Sequence, residues 1–233
     1  GLTVVEYAPF GVVGAITPTT NPTATIINNS IAAVSAGNAV VFNVHPKARR
    51  VSAQCVHWLN RAMTSVGAPP DLVTAIPEPT IASAQQLMNH PQVRILMVTG
   101  GPAVVEEARK TRKRAILAGP GNPPVVVDAT ADLSLAGREI VRGASFDNNL
   151  ICTDEKVVFV VAEAADRLLA AMTAAGSRVL SAPELKRLEP VIFAEPGEPG
   201  RPGHVNPRWI GQNAGAILAE IGLREGPELR LAV

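Results

Sequence analysis

Short runs of β-branched residues alternate with alanine-rich stretches of helical length along most of the chain, and that alternation confines the fold to an α/β layer with a mostly parallel sheet. Residues 11–16, Gly-Val-Val-Gly-Ala-Ile, read as a buried strand, because an apolar run this short ahead of Pro18 is too brief for a helix. A helix is predicted over 23–36, with Ile26, Ile27, Ile31 and Val34 at mixed helical spacing and Gly37-Asn38 as its stop. Residues 39–42 make a second buried strand. The next helix, 47–66, is predicted to gather Val51, Cys55, Trp58, Leu59 and Met63 on one face, to leave Arg49 and Arg50 in water and to end at Gly67. Strands over 72–76 and 94–98 flank a helix around 83–88, and Gly100-Gly101 leads into a further helix, Pro102–Lys110.

Proline and glycine crowd residues 119–124, a density that stops both helix and ladder, so a domain boundary is expected there. One domain then covers 1–120 and a second 121–233. The second holds a strand at 125–127, an amphipathic helix at 133–145, a polar segment with Cys152, a strand at 157–161 and a helix at 164–174. Residues 195–207, with Pro196, Gly197, Pro199, Gly200, Pro202 and Gly203, read as an exposed, mobile loop. Residues 229–233 look like the start of a strand. Neither an initiator Met nor a basic, then apolar, leader opens the sequence, and the expectation is a natural polypeptide that extends beyond both ends.

The 233 residues suffice for a sizeable core. With 21 Lys+Arg against 20 Asp+Glu, the net charge of +1 exerts little pull on nucleic acid or anionic lipid, and neither is an expected partner. No apolar run approaches the ~18–20 residues that span a bilayer, so no membrane association is expected. Two cysteines, Cys55 and Cys152, support neither a disulfide scaffold nor an all-cysteine zinc site, and a reducing compartment fits them.

Chemistry is sparse in this sequence. Cys55 reads as a small buried hydrophobe on a helix. Cys152 lies in Ser145-Phe146-Asp147-Asn148-Asn149-Leu150-Ile151-Cys152-Thr153-Asp154-Glu155-Lys156, a polar connection between helix and strand. Such surroundings favour a nucleophile over a packing residue, although a buried thiol stays open. His45, His57, His90 and His204 show no metal-ligand spacing, and no metal is predicted. The common nucleotide fingerprints, Gly-x-Gly-x-x-Gly after a strand and the phosphate loop ending in Lys-Ser/Thr, are missing.

Five segments taken together resemble the aldehyde dehydrogenase superfamily, and more closely its coenzyme-A-acylating branch, the propionaldehyde/acetaldehyde dehydrogenases of bacterial microcompartments. They are residues 8–22 (Ala-Pro-Phe-Gly-Val-Val-Gly-Ala-Ile-Thr-Pro-Thr-Thr-Asn-Pro), 36–46, 98–102 (Val-Thr-Gly-Gly-Pro), 121–128 (Gly-Asn-Pro-Pro-Val-Val-Val-Asp) and 145–152. The resemblance spans nearly the whole chain and implies an aldehyde dehydrogenase-like α/β fold: a Rossmann-type, NAD-binding parallel-sheet domain over 1–120 and part of a catalytic domain over 121–233. It implies that Cys152 attacks an aldehyde, passes hydride to the nicotinamide and retains a thioester. Asn21 is implied to hold the oxyanion with the Cys152 N–H, against the simpler reading of a turn residue before Pro22. Thr17, Pro18, Asn43, His45, Thr99 and Gly100 are implied to line the cofactor cleft, although Thr99 and Gly100 also suit a plain strand-to-helix turn.

Two departures separate this chain from the hydrolytic members. Residues 115–122 (Ala-Ile-Leu-Ala-Gly-Pro-Gly-Asn) contain no acid where those members carry a water-activating glutamate, so water loses its general base. A thiol such as coenzyme A, more nucleophilic than water, resolves the thioester without one. Asn43 stands where hydrolytic members use a lysine on the adenine ribose, which leaves NAD against NADP open. Two alternatives remain: a hydrolytic enzyme that releases a carboxylate, and a catalytically silent cofactor-binding or scaffold fragment. The resemblance further implies a homo-oligomer and a cytoplasmic location, with the microcompartment lumen and its shell proteins as a further location and partner.

Overall fold

Apolar runs of four to seven residues, broken by proline and glycine, fold as strands because each can be buried on both faces of a parallel sheet. The structure, a computed structural model, describes residues 1–201 and 203–233, and the chain divides into two units, Gly1–Pro120 and Gly121–Val233.

In the first unit the order is β1 (Val12–Ile16), α1 (Pro22–Ser35), β2 (Ala39–Asn43), α2 (Arg49–Ser65, entered through a 3₁₀ turn at Pro46–Ala48), β3 (Val73–Ala75), α3 (Ile81–Asn89), β4 (Val93–Thr99), α4 (Pro102–Lys110) and β5 (Arg114–Ala118). The five strands form one parallel sheet in the order β3-β2-β1-β4-β5. Central β1 has helices over both faces, and Val13 and Ala15 pack with Ile26, Val40, Phe42 and Val73 on one of them. A Cβ on Gly14 would come within 2.9 Å of Val93 Cγ1, so glycine lets β4 approach.

One expected face is corrected. Val51 and Trp58 are 49% and 63% exposed, whereas Ser52, Cys55 and Val56 are buried, with Leu59 and Met63 packed beside them. At about 100° per residue, Val51 and Trp58 lie about 100–120° from the centre of that stripe. Ile27 and Ile31 of α1 are likewise exposed. Cys55 behaves as a packing residue, with burial pushing its thiol pKa up.

The second unit continues with β6 (Pro124–Val127), α5 (Leu133–Ala144), β7 (Val157–Val160), α6 (Ala162–Ala174), β8 (Ser177–Arg178), α7 (Ala182–Ile192), β9 (Phe193–Glu195), β10 (His204–Val205), α8 (Ala214–Ala219) and β11 (Leu231–Ala232). β6 pairs with β7 and β8 with β11, both in parallel. Val127, Ile140, Val141, Leu168 and Met172 form the core beneath β6 and β7. Gly137 makes the α5–α6 contact possible, since a Cβ there would meet the Ala171 Cβ at 2.7 Å.

The segment 195–207 also needs correction. Its described residues are mostly exposed, as expected, but β9 and β10 pair antiparallel and a further bridge joins Glu198 to Arg201. Gly200 turns the chain at φ 81°, and Gly197 and Gly203 lie too close for a side chain on either, so the glycines specify a tight hairpin. Pro202 lies outside the described residues.

Arg178 on β8 joins Glu184, at 2.8 Å, and Glu225. The Ser181 N–H and hydroxyl each donate to Glu184 at 2.8 Å, and with Arg178 they lower its pKa from 4.5 to about 2. A carboxyl depressed in the folded state contributes stability that is complete above the unfolded value and is lost as pH falls through the folded one. The melting-temperature gap between wild type and Glu184→Gln is therefore expected to be widest above pH 4.5 and to close toward pH 2. Thermal melts across that range check it, and a gap independent of pH would contradict it.

Candidate active site

Ligands of open parallel sheets bind beyond the strands' C-terminal ends, where the strand order reverses. Here that point lies between β1 and β4. Thr17 and Pro18 follow β1, Asn43 ends β2 with His45 just beyond, and Thr99 ends β4 with Gly100 after it. Ile16 stands level with Asn43 on one side and Val98 on the other. The six residues expected to line a cofactor cleft therefore collect along one edge of one sheet.

Their side chains are not equivalent. Thr17 is 2% exposed, and its Oγ1 has no hydrogen-bond partner among the described residues. A buried hydroxyl left unpaired costs stability that a ligand's hydrogen bond would recover, so this edge fits a polar cofactor. Asn43 is already committed. It is buried, and its Oδ1 accepts a 2.6 Å hydrogen bond from Ser83, whose hydroxyl also closes the capping box with Thr80 at the start of α3. His45 Nδ1 accepts from the Lys47 N–H at 3.2 Å. A Cβ on Gly100 would press within 2.7 Å of Val104 Cγ1, so glycine allows β4 to turn straight into α4. Asn21 occupies the N-cap position of α1, yet its side chain makes no cap bond and accepts only from Thr20 Oγ1 at 3.3 Å among the described residues. Its backbone carbonyl takes the Thr25 N–H and hydroxyl, which fixes the residue and leaves the amide available.

In the second unit, α5 ends at Ala144 and the chain enters a tight turn in which Asp147, Asn148 and Asn149 all adopt left-handed backbone, at φ 46°, 53° and 59°. That region costs an ordinary L-residue about 1–2 kcal/mol, and Asp and Asn are the side chains that best tolerate it. Hydrogen bonds hold the turn. Asn149 Nδ2 donates to the carbonyls of Ala144 (2.6 Å) and Glu155 (3.1 Å), and Asn148 Nδ2 to that of Gly211 (3.0 Å). Lys156 Nζ donates to the carbonyls of Asn149 (3.2 Å) and Ile151 (3.0 Å). The buried Asp154 carboxylate accepts the Ile151 N–H at 3.1 Å.

Cys152 rides on this turn, half-buried, with its own N–H donating to no acceptor among the described residues. Gly121 lies directly against it: a Cβ there would overlap the Cys152 carbonyl oxygen and lie 3.1 Å from its carbonyl carbon. Of the neighbouring acids, Asp154 is held by the Ile151 N–H, while the Glu155 carboxylate lies beside Gly143 of α5. Gly121, Asp154 and Lys156 were not singled out as site residues by sequence reasoning. Among the described residues no three His, Cys, Asp or Glu side chains gather as a metal site, and no helix is long and apolar enough to cross a membrane.

Residues 1–187 match the sequence profile described as "Aldehyde dehydrogenase family". The chain is 50% identical over 232 residues to acetaldehyde dehydrogenase (acetylating) EutE of Escherichia coli, covering 99% of this chain and 50% of that one. It is 39% identical over 236 residues to propanal dehydrogenase (CoA-propanoylating) of Salmonella typhimurium, at 100% and 49% coverage. The crystal structure of Rhodopseudomonas palustris propionaldehyde dehydrogenase with bound propionyl-CoA superposes with a TM-score of 0.88 at 43% identity, over 97% of this chain and 49% of that one. The chain thus spans about half the length of the curated relatives it matches.

Proposed function

The chain belongs to the aldehyde dehydrogenase family, and from that membership we propose that, within the complete polypeptide, it takes part in CoA-acylating oxidation of a short-chain aldehyde: aldehyde + NAD⁺ + CoA gives acyl-CoA + NADH + H⁺. Cys152 is the nucleophile. Its sulfur bonds to the aldehyde carbon, and the alkoxide that develops is held by the free Cys152 N–H and the Asn21 amide. The nicotinamide, when bound, supplies the hydride acceptor. Thr17, Pro18, Thr99 and Gly100 form its cleft, with the unpaired Thr17 hydroxyl as a donor or acceptor for it, so residues 1–120 serve as the cofactor-binding domain and 121–233 as the thiol-bearing one. Asn43 and His45 shape the cleft wall through the bonds that hold them.

One observation carries the acylating reading over hydrolysis: the segment packed against Cys152 begins with Gly121 and brings no carboxylate, while Asp154, the buried acid of the same turn, is held by the Ile151 N–H. With no base for water on that segment, the thioester waits for a thiol, and coenzyme A is the acyl acceptor named for the propanal dehydrogenase of Salmonella typhimurium. In the complete polypeptide, NADH formation from propionaldehyde is expected to depend on coenzyme A, and spectrophotometric rates with and without it check this. Equal rates would restore the hydrolytic reading. We extend the proposal to association with a bacterial microcompartment and its shell proteins, supported by a structural neighbour from such a compartment, and to a cytoplasmic homo-oligomer, as the resemblance implies.

A further inference from the structure

Lys156 has no part in the chemistry described so far, yet its ammonium is the only side-chain cation that reaches into the Cys152 turn among the hydrogen bonds of the described residues. It spans two carbonyls, those of Asn149 and Ile151, and the second belongs to the peptide unit whose N–H is that of Cys152. In a trans peptide the C=O and N–H point in opposite directions, so a group that fixes one aims the other. The Ile151 carbonyl takes Lys156 Nζ at 3.0 Å and the Asp154 N–H at 3.2 Å, while the Cys152 N–H on its far side is left without an acceptor. A cation on the carbonyl also polarises the whole amide and strengthens the opposite N–H as a donor, as in any hydrogen-bonded chain.

We propose that Lys156 is a positioning residue that acts through the Ile151 carbonyl to set the direction and the donor strength of the Cys152 N–H, the backbone half of the oxyanion site. The inference rests on Cys152 being the nucleophile. Asp154 anchors the same turn from the other side by accepting the Ile151 N–H, so Ile151 is gripped at both of its backbone polar groups. Asn149 ties that turn to the end of α5 and to Glu155, which places Lys156, the residue just before β7, within reach.

The test separates oxyanion stabilisation from simple support of the loop. Alkylation of Cys152 by iodoacetamide is a displacement at carbon that builds no oxyanion, whereas aldehyde oxidation builds one. In the complete polypeptide, Lys156→Met is expected to lower kcat about tenfold, a fraction of the ~10²–10³ that follows loss of a whole donor, with KM for the aldehyde, the alkylation rate and the melting temperature unchanged. Lys156→Arg, which keeps the charge and reaches both carbonyls, should recover most of the rate. Should the methionine variant fail to fold, Lys156→Gln keeps a neutral donor and should lose kcat severalfold. Wild-type kcat in any folded uncharged variant overturns the proposal, as does a parallel fall in alkylation rate and melting temperature. Cys152→Ala runs alongside: activity retained there removes the nucleophile itself and is a different failure.

Discussion

Replacing Gly121 by alanine is expected to cut aldehyde oxidation by about a hundredfold or more, although the substituted methyl never meets the substrate. The added carbon would occupy the position of the Cys152 carbonyl oxygen, and a backbone oxygen cannot swing aside as a flexible side chain does. Either the 121–123 segment lifts off or the Cys152 turn moves. The Lys156 N–H bonds the Pro123 carbonyl at 3.0 Å, so movement of one drags the other. Displacement of a reacting group by about 1 Å is enough for a loss of ~10² in rate. Steady-state rates for the purified complete polypeptide check this, with Gly119→Ala as the control, because a Cβ on Gly119 meets nothing within 4 Å. Equal activity of the two variants would mean that Gly121 does not abut the catalytic turn.

Asn21→Ala is expected to lower kcat by ~10²–10³, the effect of deleting one oxyanion donor, with almost no change in melting temperature. At most helix N-caps the same truncation removes a capping bond and about 1 kcal/mol. Asn21 makes no such bond, and its carbonyl remains held by Thr25 in the variant. Function and stability therefore part company at this residue. Kinetics paired with calorimetry and with iodoacetamide labelling of Cys152 give the readout. A wild-type kcat removes Asn21 from the site, and a large loss of stability reassigns it to the helix.

The parallel sheet of the first unit is legible in the sequence chiefly through β1 and β2, which are largely buried and written as apolar runs such as Val-Val-Gly-Ala-Ile. The proposed cofactor residues then follow as whatever stands at or just past the ends of β1, β2 and β4. α7 was not anticipated, since Pro183 and Pro190 interrupt its pattern although one opens the helix and the other falls in its last turn. In 195–207 a high glycine count suggested irregular chain, whereas β9 and β10 pair there. The roles of Gly121 and Lys156 could not be read, because both act through backbone carbonyls whose directions no side-chain pattern records. The run Asp-Asn-Asn at 147–149 was the available signal, as consecutive residues tolerant of positive φ ahead of a cysteine.

That left-handed triplet also divides the protein's evolutionary freedom. Aspartate, asparagine and glycine enter such backbone most readily, so most other substitutions at 147–149 carry a backbone cost of about 1–2 kcal/mol. Leu150, Ile151, Cys152 and Thr153, whose backbone stays outside that region, carry no such cost. The mounting of Cys152 is thus written in backbone preference at three positions, and its neighbours are free to change by ordinary side-chain substitution.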